Sequence, residues 1–240
     1  MPKLLGVLGG MGPLATEDFM RKLTELTPAS RDQDHIPVLV YSNPQVPDRS
    51  TAIMGKGESP LPALLDGIAR LQAAGAEAIA IPCNTAHYWY DEMAVASRVP
   101  ILHIVGSVCE MLRAKGIDGG AVGVMGTAGT LHTGIYQRFL QRSGYTCVLP
   151  SEAEMAELVT PGIVSVKAGD LVAAKRTLSD AARRLGERGA RMVVLGCTEI
   201  PLALADASPE AAGLYVDSTA ALAQACLAWA RGGQSGAEAA

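Results

Sequence analysis

Five cysteines stand in the 240-residue chain, at positions 83, 109, 147, 197 and 226, and two of them differ from the rest in their surroundings. Cys83 follows the apolar run Ala78–Ile81 and leads into Asn84-Thr85; Cys197 follows Met192–Leu195 and leads into Thr198-Glu199. A thiol at a strand end, beside a helix start, meets unpaired backbone N–H groups that favour its anion, so a lowered pKa is expected at both positions. Asn84 or Thr85 is expected to cap a helix through Tyr88–Ser97, and Pro201 to open a helix after Thr198 or Glu199. Cys109, Cys147 and Cys226 have no comparable polar setting and read as small buried hydrophobes. No CxxC occurs, the number of cysteines is odd, and no His lies at metal-ligand spacing from any of them. Free thiols in a reducing cytoplasm are expected, with neither a disulfide framework nor a metal site.

The elements that must carry these two thiols repeat along the chain. Strand-like runs occur at Leu4–Leu8, Pro37–Tyr41, Ala78–Ile81, Ala121–Met125 and Met192–Leu195, with helical patterns such as Pro60–Ala74 and Leu171–Arg188 between them. This alternation predicts an α/β fold with parallel sheets flanked by helices. Gly6-Val7-Leu8-Gly9 opens the first half and Gly123-Val124-Met125-Gly126 the second; AAGAEAIAIPCNTAH in one half answers ERGARMVVLGCTEIP in the other. Two similar, pseudo-symmetric lobes follow, spanning 1–103 and 104–210. Residues 211–231 are expected to return to the first lobe as a helix, and 232–240 to be a frayed tail. Ligands of open parallel sheets bind beyond the carboxyl ends of the strands, so the cysteines are expected to meet in a cleft between the lobes.

Composition limits the function classes. With 49% hydrophobic residues, a sizeable core is expected. The net charge of -4 comes without any basic stripe, which argues against nucleic acid. The apolar start of MPKLLGVLGGMGP is too short for a signal peptide or a membrane span, so the chain reads as soluble. Gly9, Gly10 and Gly12 do not fit a dinucleotide fingerprint, and no phosphate-binding Lys-Ser/Thr follows them. They serve either a structural turn or a backbone approach to a ligand. Arg49 lies in the Pro-punctuated loop SNPQVPDRST. His87, four residues after Cys83, either orients the site or is a satisfied core histidine. Thr127, after the second glycine turn, offers a hydroxyl and an N–H for a carboxylate, as do Asn84, Thr85 and Thr198.

PCNTAH around Cys83 and LGCTEIPL around Cys197 resemble the paired signatures of the Asp/Glu racemase superfamily, and GGMGPLAT resembles the opening of its aspartate-racemase branch. Glutamate racemases typically open on Asp-Ser-Gly, where this chain has Met11-Gly12. The resemblance implies an isomerase that interconverts L- and D-aspartate, and possible extension to glutamate or further amino acids, without pyridoxal phosphate, metal or other cofactor. In it Cys83 and Cys197 alternate as base and acid on opposite faces of Cα, with Cys197 taking the proton of the L-form and Cys83 that of the D-form. Arg49 and Lys167 match the branch's basic residues for the side-chain carboxylate; Lys167 alone would read as a helix-end surface lysine. Met11, Asn84, Thr85, Thr127 and Thr198 complete the implied substrate site, and a cytoplasmic homodimer is the implied assembly.

Such chemistry is demanding. A thiol has a reference pKa near 8.5, and a gap of about ten units to the α-hydrogen opposes proton transfer by about 14 kcal/mol. Oriented N–H groups and hydroxyls around the α-carboxylate must supply the difference. Hydantoin racemases and maleate isomerase remain alternatives within the superfamily. A decarboxylase of that group needs only one protonating cysteine, and a non-catalytic amino-acid-binding protein needs neither.

Overall fold

A computed structural model describes residues 3–204 and 213–232 of the chain. The described residues form two compact units. One is Val108–Ser218; the other joins the residues up to Ser107 with those from Thr219 onward.

The first unit runs β1 (Leu5–Gly9), α1 (Pro13–Glu25), β2 (Val38–Ser42), α2 (Arg49–Ile53), α3 (Leu61–Ala73), β3 (Ala78–Ala80), a 3-10 turn (Thr85–Trp89), α4 (Tyr90–Ala96) and β4 (Ile101–Leu102), and α5 (Ile104–Ala114) leads out of it. Its four strands are parallel in the order β2-β1-β3-β4. Every residue of β1 is buried, as a central strand covered on both faces requires. Leu8, Leu64, Ile68, Ile79 and Met93 build the core beside it. Pro13 takes the first position of α1, where its missing N–H costs nothing, and so ends the glycine turn in a helix.

The second unit runs β5 (Gly120–Gly126), α6 (Ala128–His132), α7 (Ile135–Arg142), β6 (Tyr145–Val148), α8 (Glu152–Glu154), a π-helical turn (Met155–Val159), α9 (Thr160–Lys167), α10 (Leu171–Glu187), β7 (Met192–Gly196), α11 (Ile200–Leu204) and β8 (Tyr215–Asp217). Its order is β6-β5-β7-β8, again parallel throughout. The permutation is that of the first unit, so the lobes are similar in topology as well as in wording. The last helix, α12 (Ser218–Ala230), belongs to the first unit from Thr219 on. Lys3 at the other end of that unit donates to the Trp229 carbonyl at 3.0 Å and stands 5.1 Å over the Trp229 ring.

The repeat extends to side-chain packing. A Cβ on Gly6 of β1 would stand 2.9 Å from the Cβ of Ala76 and 3.3 Å from that of Leu71. A Cβ on Gly123 of β5 would stand 3.2 Å from those of Ala190 and Leu185. In both units a helix end closes on the first strand so tightly that a side chain there would force its neighbours to shift, more at Gly6 than at Gly123.

All five expected strands form, and the two expected helices appear as α3 and α10. β4, β6 and β8 escape a reading based on apolar runs. They are two to four residues long, and β6 and β8 are only partly buried. The expected returning segment starts in residues outside the described ones, and its described helix begins at Ser218; of the expected tail, only Gly232 is described. Among the described residues no helix is long and apolar enough to cross a membrane.

Candidate active site

In a sheet of order β2-β1-β3-β4 the chain leaves β1 in one direction and reaches β3 in the other, which opens a crevice beyond the carboxyl ends of those two strands. Gly9-Gly10 ends β1 at that point and Cys83 follows β3. In the second unit the same crevice lies between β5, ending at Gly126-Thr127, and β7, ending at Gly196-Cys197. Each cysteine therefore stands at the topological switch point of its own sheet.

The glycine turn of the first unit is chiefly structural. Gly10 has φ +92, and a Cβ there would collide with the backbone of Asn43. The Gly10 N–H donates to the Thr16 hydroxyl at 2.8 Å, and that hydroxyl donates to the Gly12 carbonyl at 3.0 Å. Met11 turns its side chain into the core of the unit.

Cys83 is buried, and its N–H donates to the Ile81 carbonyl at 2.7 Å. Its carbonyl accepts from Nδ1 of His87 at 2.9 Å, while Nε2 of His87 accepts from the N–H of Ile104 at 3.2 Å. The two bonds fix the neutral tautomer with its proton on Nδ1. Burial pushes the His87 pKa down to about 4, against the smaller opposing pull of the Cys83 and Leu102 backbone. His87 is thus a clamp between the cysteine turn and the start of α5. The helix expected through Tyr88–Ser97 is split into the 3-10 turn and α4. Asn84 occupies the cap position without a capping side-chain bond, and it is buried together with Thr85.

Cys197 departs from its expected acidity. Its thiol donates to Oε2 of Glu199 at 3.0 Å, and the Thr198 hydroxyl reaches the same oxygen at 3.4 Å. Burial, then the Glu199 charge, hold the thiol well above its ordinary pKa, opposed by a Glu199 backbone bond and the charge of Lys167. The helix start was expected to favour the thiolate. α11 is a five-residue helix, and a buried carboxylate two residues from the sulfur outweighs its N–H groups. Tyr136 of α7 also faces this thiol, fully buried and hydrogen-bonded to Ser218, whose hydroxyl donates to the Leu195 carbonyl at 2.7 Å.

Arg49 is the first residue of α2 rather than part of a loop. Its Nη1 donates to the carbonyls of Val46 and Pro47, each at 3.1 Å, and Nη2 to that of Met11 at 3.5 Å. Nε is buried without a partner, and among the described residues no carboxylate pairs with this guanidinium. Lys167 ends α9, exposed and unpaired among the described residues. Thr127 caps α6: its hydroxyl accepts from the Thr130 N–H at 3.1 Å and meets the Thr130 hydroxyl at 3.0 Å. The structure thus groups Met11 with Arg49 in the first unit, and Cys197, Thr198 and Lys167 in the second.

Of the other three cysteines, Cys109 and Cys226 are buried and Cys147 is only partly so. Burial raises the pKa of each, to about 11 for Cys147 and further for Cys226. Among the described residues no three His, Cys, Asp or Glu side chains gather as a metal site would need.

A family model described as Asp/Glu/hydantoin racemase matches residues 8–226. The chain belongs to this family. The broad specificity amino-acid racemase RacX of Bacillus subtilis (strain 168) is 29% identical to this racemase-family chain over 228 residues, 93% of this chain and 96% of its own. The Picrophilus torridus aspartate racemase superposes with a TM-score of 0.82 at 32% identity, over 97% of this chain and 95% of that one. An aspartate racemase homologue from Pyrococcus horikoshii OT3 shares the fold at a TM-score of 0.75 and 24% identity, over 96% of this chain and 100% of its own. As a family member the chain is an enzyme of the racemase class, an isomerase.

One residue of the site was not singled out by the sequence for the part it takes here, and a second, His87, was singled out by its spacing with two readings left open. Glu199 reads as a helix-start residue, and only its contact with Cys197 reveals it. His87 is fixed by Ile104, which is remote in the sequence. Its spacing of four from Cys83 was the available signal.

Proposed function

We propose that the protein interconverts L- and D-aspartate by moving a proton at Cα between two cysteines. Cys197 takes the α-proton of the L-form and Cys83 returns one to the other face; the roles exchange for the D-form. The observation that carries this reading is the matched placement of Cys83 and Cys197, each at the switch point of an identically ordered sheet. One base cannot reach both faces of a held substrate, so two thiols in matched settings suit the reaction. Arg49 supports an acidic substrate: its guanidinium is fixed by three carbonyls, and among the described residues its buried Nε has no partner. Lys167 is the second cation for the side-chain carboxylate, while Asn84, Thr85, Thr127 and Thr198, with the turn at Met11, hold the α-carboxylate. The likeness to an aspartate racemase favours aspartate as the main substrate, and the likeness to a broad-specificity enzyme makes breadth the first property to measure. No cofactor takes part in this scheme, and the setting is a cytoplasmic homodimer.

The test is proton NMR of each aspartate enantiomer in D2O with the wild-type protein and single variants. Wild-type product should carry deuterium before the remaining substrate does. Cys83→Ser should abolish racemisation and leave slow exchange of the L-form only; Cys197→Ser should confine exchange to the D-form. Racemisation surviving in both variants would overturn the two-thiol mechanism, and the reverse exchange pattern would overturn the assignment of faces.

A further inference from the structure

We infer that Tyr136 is a positioning residue for Cys197: its ring and hydroxyl seat the strand end from which that thiol projects. The inference rests on the racemase reading above and deepens it. In the matched stretches AIAIPC and MVVLGC, Pro82 precedes Cys83 and Gly196 precedes Cys197. A proline ring fixes its own φ, so the chain itself stiffens the approach to Cys83. Glycine has the widest backbone freedom of any residue, so the approach to Cys197 needs support from outside its strand. The two thiols have matched places and unequal seats.

Tyr136 supplies that support. Gly134 turns the chain at φ +69, and Ile135 and Tyr136 then open α7, both buried. A Cβ on Gly196 would stand 2.9 Å from Cε2 and 3.3 Å from Cζ of Tyr136, and 2.9 Å from the Met125 carbonyl oxygen. The ring thus fills the place that a side chain on Gly196 would take, while Gly196 pairs with Gly126 of β5. The tyrosine hydroxyl is bonded to Ser218, whose own proton is spent on the Leu195 carbonyl at 2.7 Å. Tyr136 must therefore be the donor, and the bonds run from its O–H through Ser218 to Leu195. Ring and hydroxyl together hold Leu195 and Gly196, the two residues immediately before the thiol. All of these residues lie in the second unit.

A base works only within reach of the proton it removes, and a misplacement of about 1 Å costs about 10²-fold in rate. Burial keeps the Tyr136 hydroxyl protonated well past the ordinary tyrosine range, so it is a constant donor and takes no proton from the substrate. It acts through the backbone that carries Cys197. Its loss should therefore weaken the half-reaction of Cys197 and leave that of Cys83 intact.

The test separates the two thiols. Cys83→Ser leaves the α-proton exchange carried by Cys197, and Cys197→Ser leaves that carried by Cys83; proton NMR of both aspartate enantiomers in D2O follows each. Tyr136→Phe keeps the ring and should slow the Cys197 exchange about 3- to 10-fold, the worth of one hydrogen bond. Tyr136→Leu removes the ring as well and should slow it about 10²-fold. The Cys83 exchange should not change in either. With both cysteines present, kcat should fall in the same order while KM stays. Equal losses at both thiols, as general damage to the fold would give, or no loss at Cys197, would overturn the inference. If Tyr136→Leu fails to fold, Tyr136→Phe and Ser218→Ala carry the same comparison. Alkylation by iodoacetamide, mapped by mass spectrometry, gives a reading without substrate. A loosened seat admits the reagent to a buried thiol, so these variants should raise the rate at Cys197 severalfold and leave Cys83 unchanged. Should wild type neither racemise nor exchange any amino acid, the racemase reading fails by itself. The alkylation rates then decide alone whether Tyr136 seats Cys197, and an unmoved rate at Cys197 would overturn it.

Discussion

Arg49 illustrates how a side chain can be held firmly and still be left with work to do. Three backbone carbonyls orient its guanidinium, while buried Nε has no acceptor. An unsatisfied buried donor costs about 1–3 kcal/mol, which a bound carboxylate would recover. Arg49→Lys keeps the charge but cannot reproduce the fork. Losing charged hydrogen bonds of about 1.5–3 kcal/mol predicts a 10- to 150-fold lower kcat/KM for aspartate, with little change for alanine. Equal losses on both substrates would place Arg49 outside the specificity pocket. His87 carries a prediction of another kind. Its folded pKa of about 4 lies below the unfolded value of 6.5, so between these values the unfolded chain binds the proton more readily. Stability should therefore be full above pH 6.5 and fall as the pH drops, by on the order of 3 kcal/mol over the window. His103, buried beside His87 with its pKa also lowered, shifts stability in the same direction. Urea unfolding midpoints above and below this window should converge in His87→Gln relative to wild type. Cys83 and Cys197 were legible because strand-to-turn junctions repeat in the letters themselves. The acidity of Cys197 was not, because the effect of Glu199 depends on a hydrogen bond and on burial that spacing alone does not determine.

At the scale of elements, long central strands announce themselves and short edge strands do not. β1, β5 and β7 are buried nearly throughout and read as apolar runs; β4 has two residues, and β8 follows a segment without strand character. The glycines inside β1 and β5 were legible as a repeat, but their cause lies in helix packing. Gly6→Ala would drive a methyl group onto Ala76 and Leu71, and overpacking of this kind costs about 1–3 kcal/mol. Gly123→Ala should cost somewhat less, since its nearest neighbours stand at 3.2 Å. Gly186 is the contrast: it is exposed near the end of α10, and a Cβ there meets nothing within 4 Å. Gly186→Ala should stabilise the protein by about 0.4–1 kcal/mol through the unfolded chain. Thermal unfolding of the three variants checks the order, and a destabilising Gly186→Ala would show that the α10 backbone is not free to accept a side chain.

At the scale of the whole molecule, both tryptophans belong to the first unit: Trp89 ends its 3-10 turn and Trp229 lies on α12. Tryptophan fluorescence therefore follows that unit, whereas far-ultraviolet circular dichroism follows both. If the units unfold together, the two signals should give one urea midpoint; separate midpoints would show two cooperative blocks, with the fluorescence midpoint belonging to the discontinuous one.

The discontinuity of the first unit also sets an order of events at the ribosome. Val108–Ser218 is a contiguous stretch, and all of its strands have been synthesised before Thr219 is added. Its partner unit contains the earlier-made residues up to Ser107 but cannot be completed until α12 emerges. The part made first must therefore wait for the part made last. During that interval, the surface that α12 covers in the finished unit is open to chaperones and to other nascent chains.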